Sequence, residues 1–208
     1  MFTDGIIFDL DGTLWDSCRS VAGSWQRTVR RFDPERLIGE EDIRAIMGMT
    51  PRQVADRLFP GMGDRGMELC RRCLDEECAY IARHGGEIYP DAEAVLSRLS
   101  RRCPLYIVSN CAAGYIETFL GFSGFGRFFS GFLDHDATGL DKSENIRLLI
   151  EREGLERPVY VGDTAQDRRN ALDAGCAFVF AGYGFGEAGG AGPEISCLAE
   201  LEAVLEQL

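Results

Sequence analysis

The chain has 208 residues, 45% apolar and 27% charged, a balance that excludes a disordered or fibrous protein and admits one substantial core with a smaller appendage. Thirty-four acidic residues against 22 basic ones give a net charge of −12, which repels a polyanionic backbone and argues against nucleic acid as a partner. No apolar run approaches the ~20 residues that span a bilayer, so no membrane partner is expected. The opening MFTDGIIFDLDG carries an acid where an export signal carries basic residues, and a cytoplasmic location is expected.

In chain order, Gly5–Phe8 is a short apolar run that stops at Asp9-Leu10-Asp11-Gly12, the pattern of a buried parallel strand entering a loop. The stretch from about Asp16 to His84 shows helical periodicity without a strand run. Val21, Trp25, Val29 and Phe32 fall on one helical face, and Thr50-Pro51-Arg52-Gln53 reads as a helix start with a capping-box partner. Met67, Leu74 and Ile81 mark a further helix. Three more short apolar runs follow, at 104–108, 158–161 and 177–181, each ending in small or polar residues and separated by helical patterns. The expected fold class is α/β, a Rossmann-like three-layer α/β/α core with a central parallel sheet. The core takes residues 1–15 and 86–208, and an inserted all-helical cap takes 16–85.

Two segments read less regularly. Residues 119–132 carry six of the 13 phenylalanines, spaced by glycines, and are expected as a loop anchored on the core by aromatic packing or, alternatively, as a partner surface. Residues 182–192 read as a long loop, and 196–207 as a closing helix. The eight cysteines, without an export signal, read as reduced thiols that mostly fill the core. Cys70, Cys73, Cys78 and His84 lack a second CxxC pair, which argues against zinc.

The chemistry-bearing residues follow strand ends: Asp9 and Asp11 after the first, Ser109 and Asn110 after the second, Asp163 and Asp167 after the third. In an open parallel sheet those ends line one crevice. Converging carboxylates repel unless they share protons or bind a cation, and oxygen-only ligands favour Mg²⁺, which keeps a position for substrate phosphate. Phosphoryl transfer needs a nucleophile, a proton donor and positive charge. Either Asp9 or Asp11 can attack while the other shuttles the proton, and Lys142, Mg²⁺ and backbone N–H groups near Gly12 and Asn110 can neutralise the phosphoryl oxygens. A calcium-loop reading of 9–20 fails at Leu14 and Ser20, and a P-loop reading of 141–143 fails because Asp141 stands where glycine is required.

Taken together, DLDGTLWDS (9–17), VSN (108–110), Lys142 and GDTAQD (162–167) resemble the four ordered motifs of the haloacid dehalogenase superfamily, closest to its phosphoglycolate phosphatase-like members with a helical cap. The resemblance implies a phosphoric monoester hydrolase with Asp9 as nucleophile, forming an aspartyl-phosphate, and Asp11 as general acid and base. It implies Mg²⁺ held by Asp9, the backbone carbonyl of Asp11 and Asp163, with Asp167 and Thr164 in the outer shell. Ser109, Asn110, Gly12, Thr13 and Lys142 then bind phosphate, and Arg52 is a candidate for substrate specificity. The implied partner is a small phosphorylated metabolite, phosphoglycolate-like or a sugar phosphate, and the chain is expected as a monomer or weak homodimer. Alternative readings are a phosphosugar mutase and a catalytically silent binding protein. Asp141 beside Lys142 departs from expectation, and Cys111 is expected as a buried inert thiol, with a pKa lowered by Mg²⁺ and Lys142 as the alternative.

Overall fold

The computed structural model describes residues 3–208. In chain order the elements are β1 (Gly5–Phe8), β2 (Trp15–Asp16), α1 (Cys18–Val29), α2 (Glu40–Arg44), α3 (Pro51–Leu58), α4 (Asp64–His84), β3 (Glu87–Ile88), α5 (Ala92–Leu99), β4 (Leu105–Ser109) and α6 (Tyr115–Ser123). A 3₁₀ turn (Phe125–Phe128), β5 (Gly131–Asp134), α7 (His135–Thr138), α8 (Lys142–Glu153), β6 (Pro158–Gly162), α9 (Ala165–Asp173), β7 (Ala177–Ala181) and β8 (Glu194–Ile195) follow. A second 3₁₀ turn (Leu198–Glu200) leads into α10 (Leu201–Leu205).

Six strands form one parallel sheet in the order β5-β4-β1-β6-β7-β8. The chain builds outward from β1 to β4 and β5 on one side, then returns to add β6, β7 and β8 on the other. β1 is therefore the point where the strand order reverses. Alternate residues separate to two faces: Ile7, Tyr106, Tyr160 and Phe178 pack with Ile146 and Leu149 of α8 and Ala171 of α9. Ile6, Phe8, Leu105, Ile107, Val159 and Val161 pack on the opposite face, in one cluster with α5 and α10. Both faces being covered is why these strands are continuous apolar runs rather than alternating ones.

Residues 18–84 are helical throughout their regular parts, and α4 packs along α1 and α3. Val21, Trp25 and Val29 are buried along one face of α1 as the spacing requires. Phe32 lies beyond the helix end, exposed, with the Arg72 guanidinium 5.0 Å from its ring centre. At the start of α3, Gln53 accepts a hydrogen bond from the Thr50 N–H at 2.9 Å. The chain enters and leaves these helices through an antiparallel ribbon that pairs Trp15 with Ile88 and Asp16 with Glu87.

Two expectations are corrected. The Phe-rich stretch 119–132 is not a loop: it contains the end of α6, a 3₁₀ turn and the start of edge strand β5. Phe119 and Phe125 are buried with their rings 6.0 Å apart, and Phe119 meets Trp15 at 5.0 Å, so its aromatics anchor regular structure. The closing helix is shorter than 196–207, with a 3₁₀ turn before α10. Among the described residues, no helix is long and apolar enough to cross a membrane.

Candidate active site at the carboxyl edge of the sheet

The C-terminal ends of β1, β4 and β6 meet at the strand-order reversal, and Asp9, Ser109 and Asp163 sit at those ends. The loop after β1 doubles back tightly. Asp9 N–H donates to Val161 O at 2.8 Å, tying the loop to β6, and Leu14 N–H donates to Leu10 O at 2.8 Å. Gly12 has φ +79°, and a Cβ there would lie 2.1 Å from Asp163 Oδ2, so only glycine lets the loop lie against β6. Gly184 does the same from the far side, where a Cβ would lie 2.3 Å from Asp163 Cβ.

Asp9, Asp163 and Asp167 are all buried, and one carboxylate oxygen from each lies within 4.8 Å of the others. Lys142, the first residue of α8 and also buried, donates to Asp167 Oδ1 at 2.6 Å and lies 2.9 Å from Asp9 Oδ1. Asp141 is the N-cap of that helix and faces solvent, which accounts for an acid next to the buried ammonium. Thr164 is the N-cap of α9: its hydroxyl accepts from Asp167 N–H at 3.0 Å, and its own N–H and hydroxyl donate to Asp167 Oδ2. Asp167 thus spends both oxygens on protein donors. Asp163 Oδ2 accepts from Phe185 N–H at 2.7 Å, while its Oδ1 is buried without a hydrogen-bond partner.

Three carboxylates face one ammonium, a formal excess of two negative charges. Burial drives the Asp9 carboxyl well above its ordinary range; Lys142 opposes this, and Asp167 and Asp163 reinforce it. Burial, then Asp167, pushes Asp163 up to about 7. Burial by itself depresses the Lys142 ammonium, but attraction to Asp167 and Asp9 outweighs it and leaves its pKa well above that of an ordinary lysine. An orphaned Asp163 oxygen, an all-oxygen donor set and a twofold charge excess fit a hard divalent cation.

Asp11 turns away from this cluster. Its Oδ1 accepts from Ser17 Oγ at 2.7 Å and from Tyr115 Oη at 2.9 Å, and the two hydroxyls lie 2.7 Å apart. Burial raises Asp11 to about 6, with the Ser17 and Tyr115 hydrogen bonds holding it down. Asn110 Nδ2 donates to Gly48 O at 2.8 Å, joining the end of β4 to the helical segment, and its Oδ1 is buried without a partner. The Thr13 hydroxyl is likewise buried and unpartnered, and its carbonyl accepts from Tyr183 Oη at 2.8 Å.

Most residues singled out from sequence therefore gather at one edge of the sheet. Arg52 does not. It is exposed, paired with Asp56 one helical turn away at 3.1 Å, and lines neither the cavity at Asp11 nor the groove at Lys142. For Cys111 the structure favours the inert thiol: burial pushes it well above the usual value against a hydrogen bond with Ser109, and Asp11, Asp134 and Asp9 add to the rise. Sequence reading also missed Tyr115, Trp25 and Glu77, which reach the site from α6, α1 and α4. Only Ser17 lay inside a quoted motif.

A parallel α/β sheet with carboxylates and a lysine gathered at the carboxyl ends of its central strands defines an α/β protein whose polar site lies in the crevice where such sheets bind ligands. Residues 6–181 match the haloacid dehalogenase-like hydrolase family, and the chain belongs to it. It is 26% identical over 195 residues to a phosphoglycolate phosphatase of Yersinia pseudotuberculosis, covering 88% of this chain and 84% of that one. A phosphoglycolate phosphatase of Escherichia coli is 24% identical over 212 residues with the same coverage. Among solved structures, a predicted phosphatase from Clostridium acetobutylicum superposes with a TM-score of 0.83 at 20% identity, covering 100% of both chains. CbbY from Rhodobacter sphaeroides, in complex with xylulose-(1,5)bisphosphate, superposes at 0.82 with 18% identity, covering 98% of this chain and 99% of that one.

Proposed function

We propose that this chain is a Mg²⁺-dependent phosphatase of small phosphomonoesters, acting through an aspartyl-phosphate on Asp9. The observation that carries the reading is the buried cluster of Asp9, Asp163 and Asp167 with Lys142, including the unpartnered Asp163 Oδ1. Asp9, Asp163 and the backbone carbonyl of Asp11 would hold the ion, with Asp167 and Thr164 outside them. When bound, Mg²⁺ supplies positive charge that keeps the buried carboxylates ionised and offsets charge on the phosphoryl oxygens.

Lys142 holds Asp9 Oδ1 and leaves Oδ2 to attack phosphorus. As the Asp9 oxygen–phosphorus bond forms, the phosphorus–oxygen bond to the leaving group breaks, and Asp11 gives its proton to the departing alkoxide. Asp11 then takes a proton from water as the water oxygen attacks phosphorus, which frees Asp9 and inorganic phosphate. A carboxyl at about 6, buried yet held by two hydroxyls, is suited to both transfers near neutral pH. Ser109, the Asn110 backbone, Gly12, Thr13 and Lys142 bind the phosphate, and Arg52 has at most an outer role in recognition. The helices of residues 16–85 act as a cap over a core of residues 1–15 and 86–208, excluding bulk water during attack.

The test is phosphate release from a panel of small phosphomonoesters with Mg²⁺, comparing the wild type with Asp9→Asn. The expected loss is at least about a thousandfold in kcat/KM. Retention of activity in Asp9→Asn, or no turnover of any ester by the wild type, sinks the reading.

A further inference from the structure

On the Asp11 side of the site lies a partly open cavity of ≈ 70 Å³. The sheet contributes Asp11, Ser109 and Asn110 to its lining, and the helices contribute apolar side chains, among them Val21, Ile43, Val54 and Leu74. One carboxyl stands among them, beside the Tyr115 and Trp25 rings: Glu77 of α4, 5% exposed, whose Oε2 accepts a hydrogen bond from Trp25 Nε1. Among the described residues its Oε1 has no hydrogen-bond partner. No lysine, arginine or histidine lines the cavity.

An acid head with one oxygen free of protein partners, set on a largely apolar cavity wall beside Asp11, is the kind of convergent polar group that fixes a ligand's orientation. The geometry points to this cavity as the leaving-group subsite, one that takes a short, uncharged, hydroxyl-bearing alcohol whose hydroxyl meets Glu77 and rejects a carboxylate-bearing one. This rests on the phosphatase reading above and narrows it. Asp11 lies at the boundary between phosphate and leaving group, so the alcohol oxygen it protonates starts at the cavity and the carbon skeleton extends among the apolar side chains. A cavity of about 150 Å³ holds benzene, so about half of that admits roughly three heavy atoms. Burial raises the Glu77 carboxyl to about 8, so near neutral pH it is an uncharged hydrogen-bonding partner rather than a counter-ion. A glycolate leaving group would set its carboxylate beside Glu77 and Asp11 with no cation to meet it. The cavity therefore disfavours the ester for which the curated relatives are named.

Phosphate release with Mg²⁺ from 2-hydroxyethyl phosphate, propyl phosphate, phosphoethanolamine and 2-phosphoglycolate varies one terminal group at nearly constant size. Acetyl phosphate, whose activated leaving group makes little demand on the cavity, reports the phosphatase reading separately. The hydroxyethyl ester is expected to lead, with kcat/KM at least about 100-fold above phosphoglycolate, since a carboxylate would enter an apolar cavity that offers no cation. In Glu77→Leu the ratio of hydroxyethyl to propyl ester falls about tenfold, and in Glu77→Gln, which keeps a hydrogen-bonding head, it stays within about threefold of wild type. Should the leucine variant fail to fold, the wild-type ranking decides alone. Preference for phosphoglycolate or phosphoethanolamine, or turnover of acetyl phosphate alone, overturns the subsite assignment and leaves the hydrolase intact. Inertness toward all five overturns both.

Discussion

Two groups of carboxyls adjoin at the loop after β1, and they are stabilised in opposite ways. At the sheet edge, Asp9, Asp163 and Asp167 crowd around Lys142 with charge left over. In the cavity, Asp11 and Glu77 meet only hydroxyl and indole donors, from Ser17, Tyr115 and Trp25, and no cation. The first arrangement fits a bound cation; the second, with neutral donors alone, favours protonated carboxyls. The same residue type thus meets two environments, one suited to holding a cation and the other to holding a proton, because of what lies within hydrogen-bond reach of each.

Removing the cation of the first group should have the largest effect on stability. Lys142→Met leaves Asp9 and Asp167 without a counter-charge and is expected to destabilise metal-free protein by about 3 kcal/mol, measured by urea denaturation. A loss below about 1 kcal/mol would show that protons already neutralise the cluster. Next comes Mg²⁺ itself. At about a hundredfold excess over its dissociation constant it should stabilise the protein by about 2.7 kcal/mol, seen as a rise in Tm, and the rise should vanish in Asp163→Asn. A rise that survives that substitution would place the ion elsewhere.

The cavity should respond to pH instead. With Glu77 raised to about 8 in the folded state from 4.5 unfolded, the native protein binds the extra proton between those values. Its stabilising contribution is present below about 4.5 and is lost as pH rises toward 8, a slope of about −1.4 kcal/mol per pH unit in the middle of that window. Glu77→Gln cannot titrate, so wild type minus variant isolates the slope in denaturation series at pH 5.5, 6.5 and 7.5. Parallel curves would mean that Glu77 is solvated and ionised. The smallest effect is expected at Arg52, whose exposed pair with Asp56 joins neither group: Arg52→Ala should change stability by less than about 0.5 kcal/mol and kcat/KM by less than about threefold. A larger drop in kcat/KM would bring that surface into substrate recognition.

The carboxylate cluster was readable from sequence and the cavity was not, for a local reason. Asp9, Ser109 and Asp163 each directly follow or end an apolar run, and parallel topology sends every such end to one edge of the sheet. Glu77 is one of several acids on α4, and although it falls three residues after Leu74 and four before Ile81, on their helical face, periodicity alone does not say that an acid there is covered. Its burial follows from α4 lying against α1, where Trp25 supplies the indole donor 52 positions away. Strand β5 was hidden for a related cause: Gly131-Phe132-Leu133-Asp134 is a half-buried edge strand next to a 3₁₀ turn, so its phenylalanines read with the preceding aromatic run.

Local order along the chain was enough to establish the α/β class, the sequence of motifs and the acids that converge, since strand period and strand-end position are properties of consecutive residues. Which acids lose water, which oxygen remains unpartnered and which side of the site lacks positive charge depended on helices distant in sequence packing over the sheet. Burial and hydrogen-bond partnership are set by neighbours in space, and those neighbours exist only once the chain has folded.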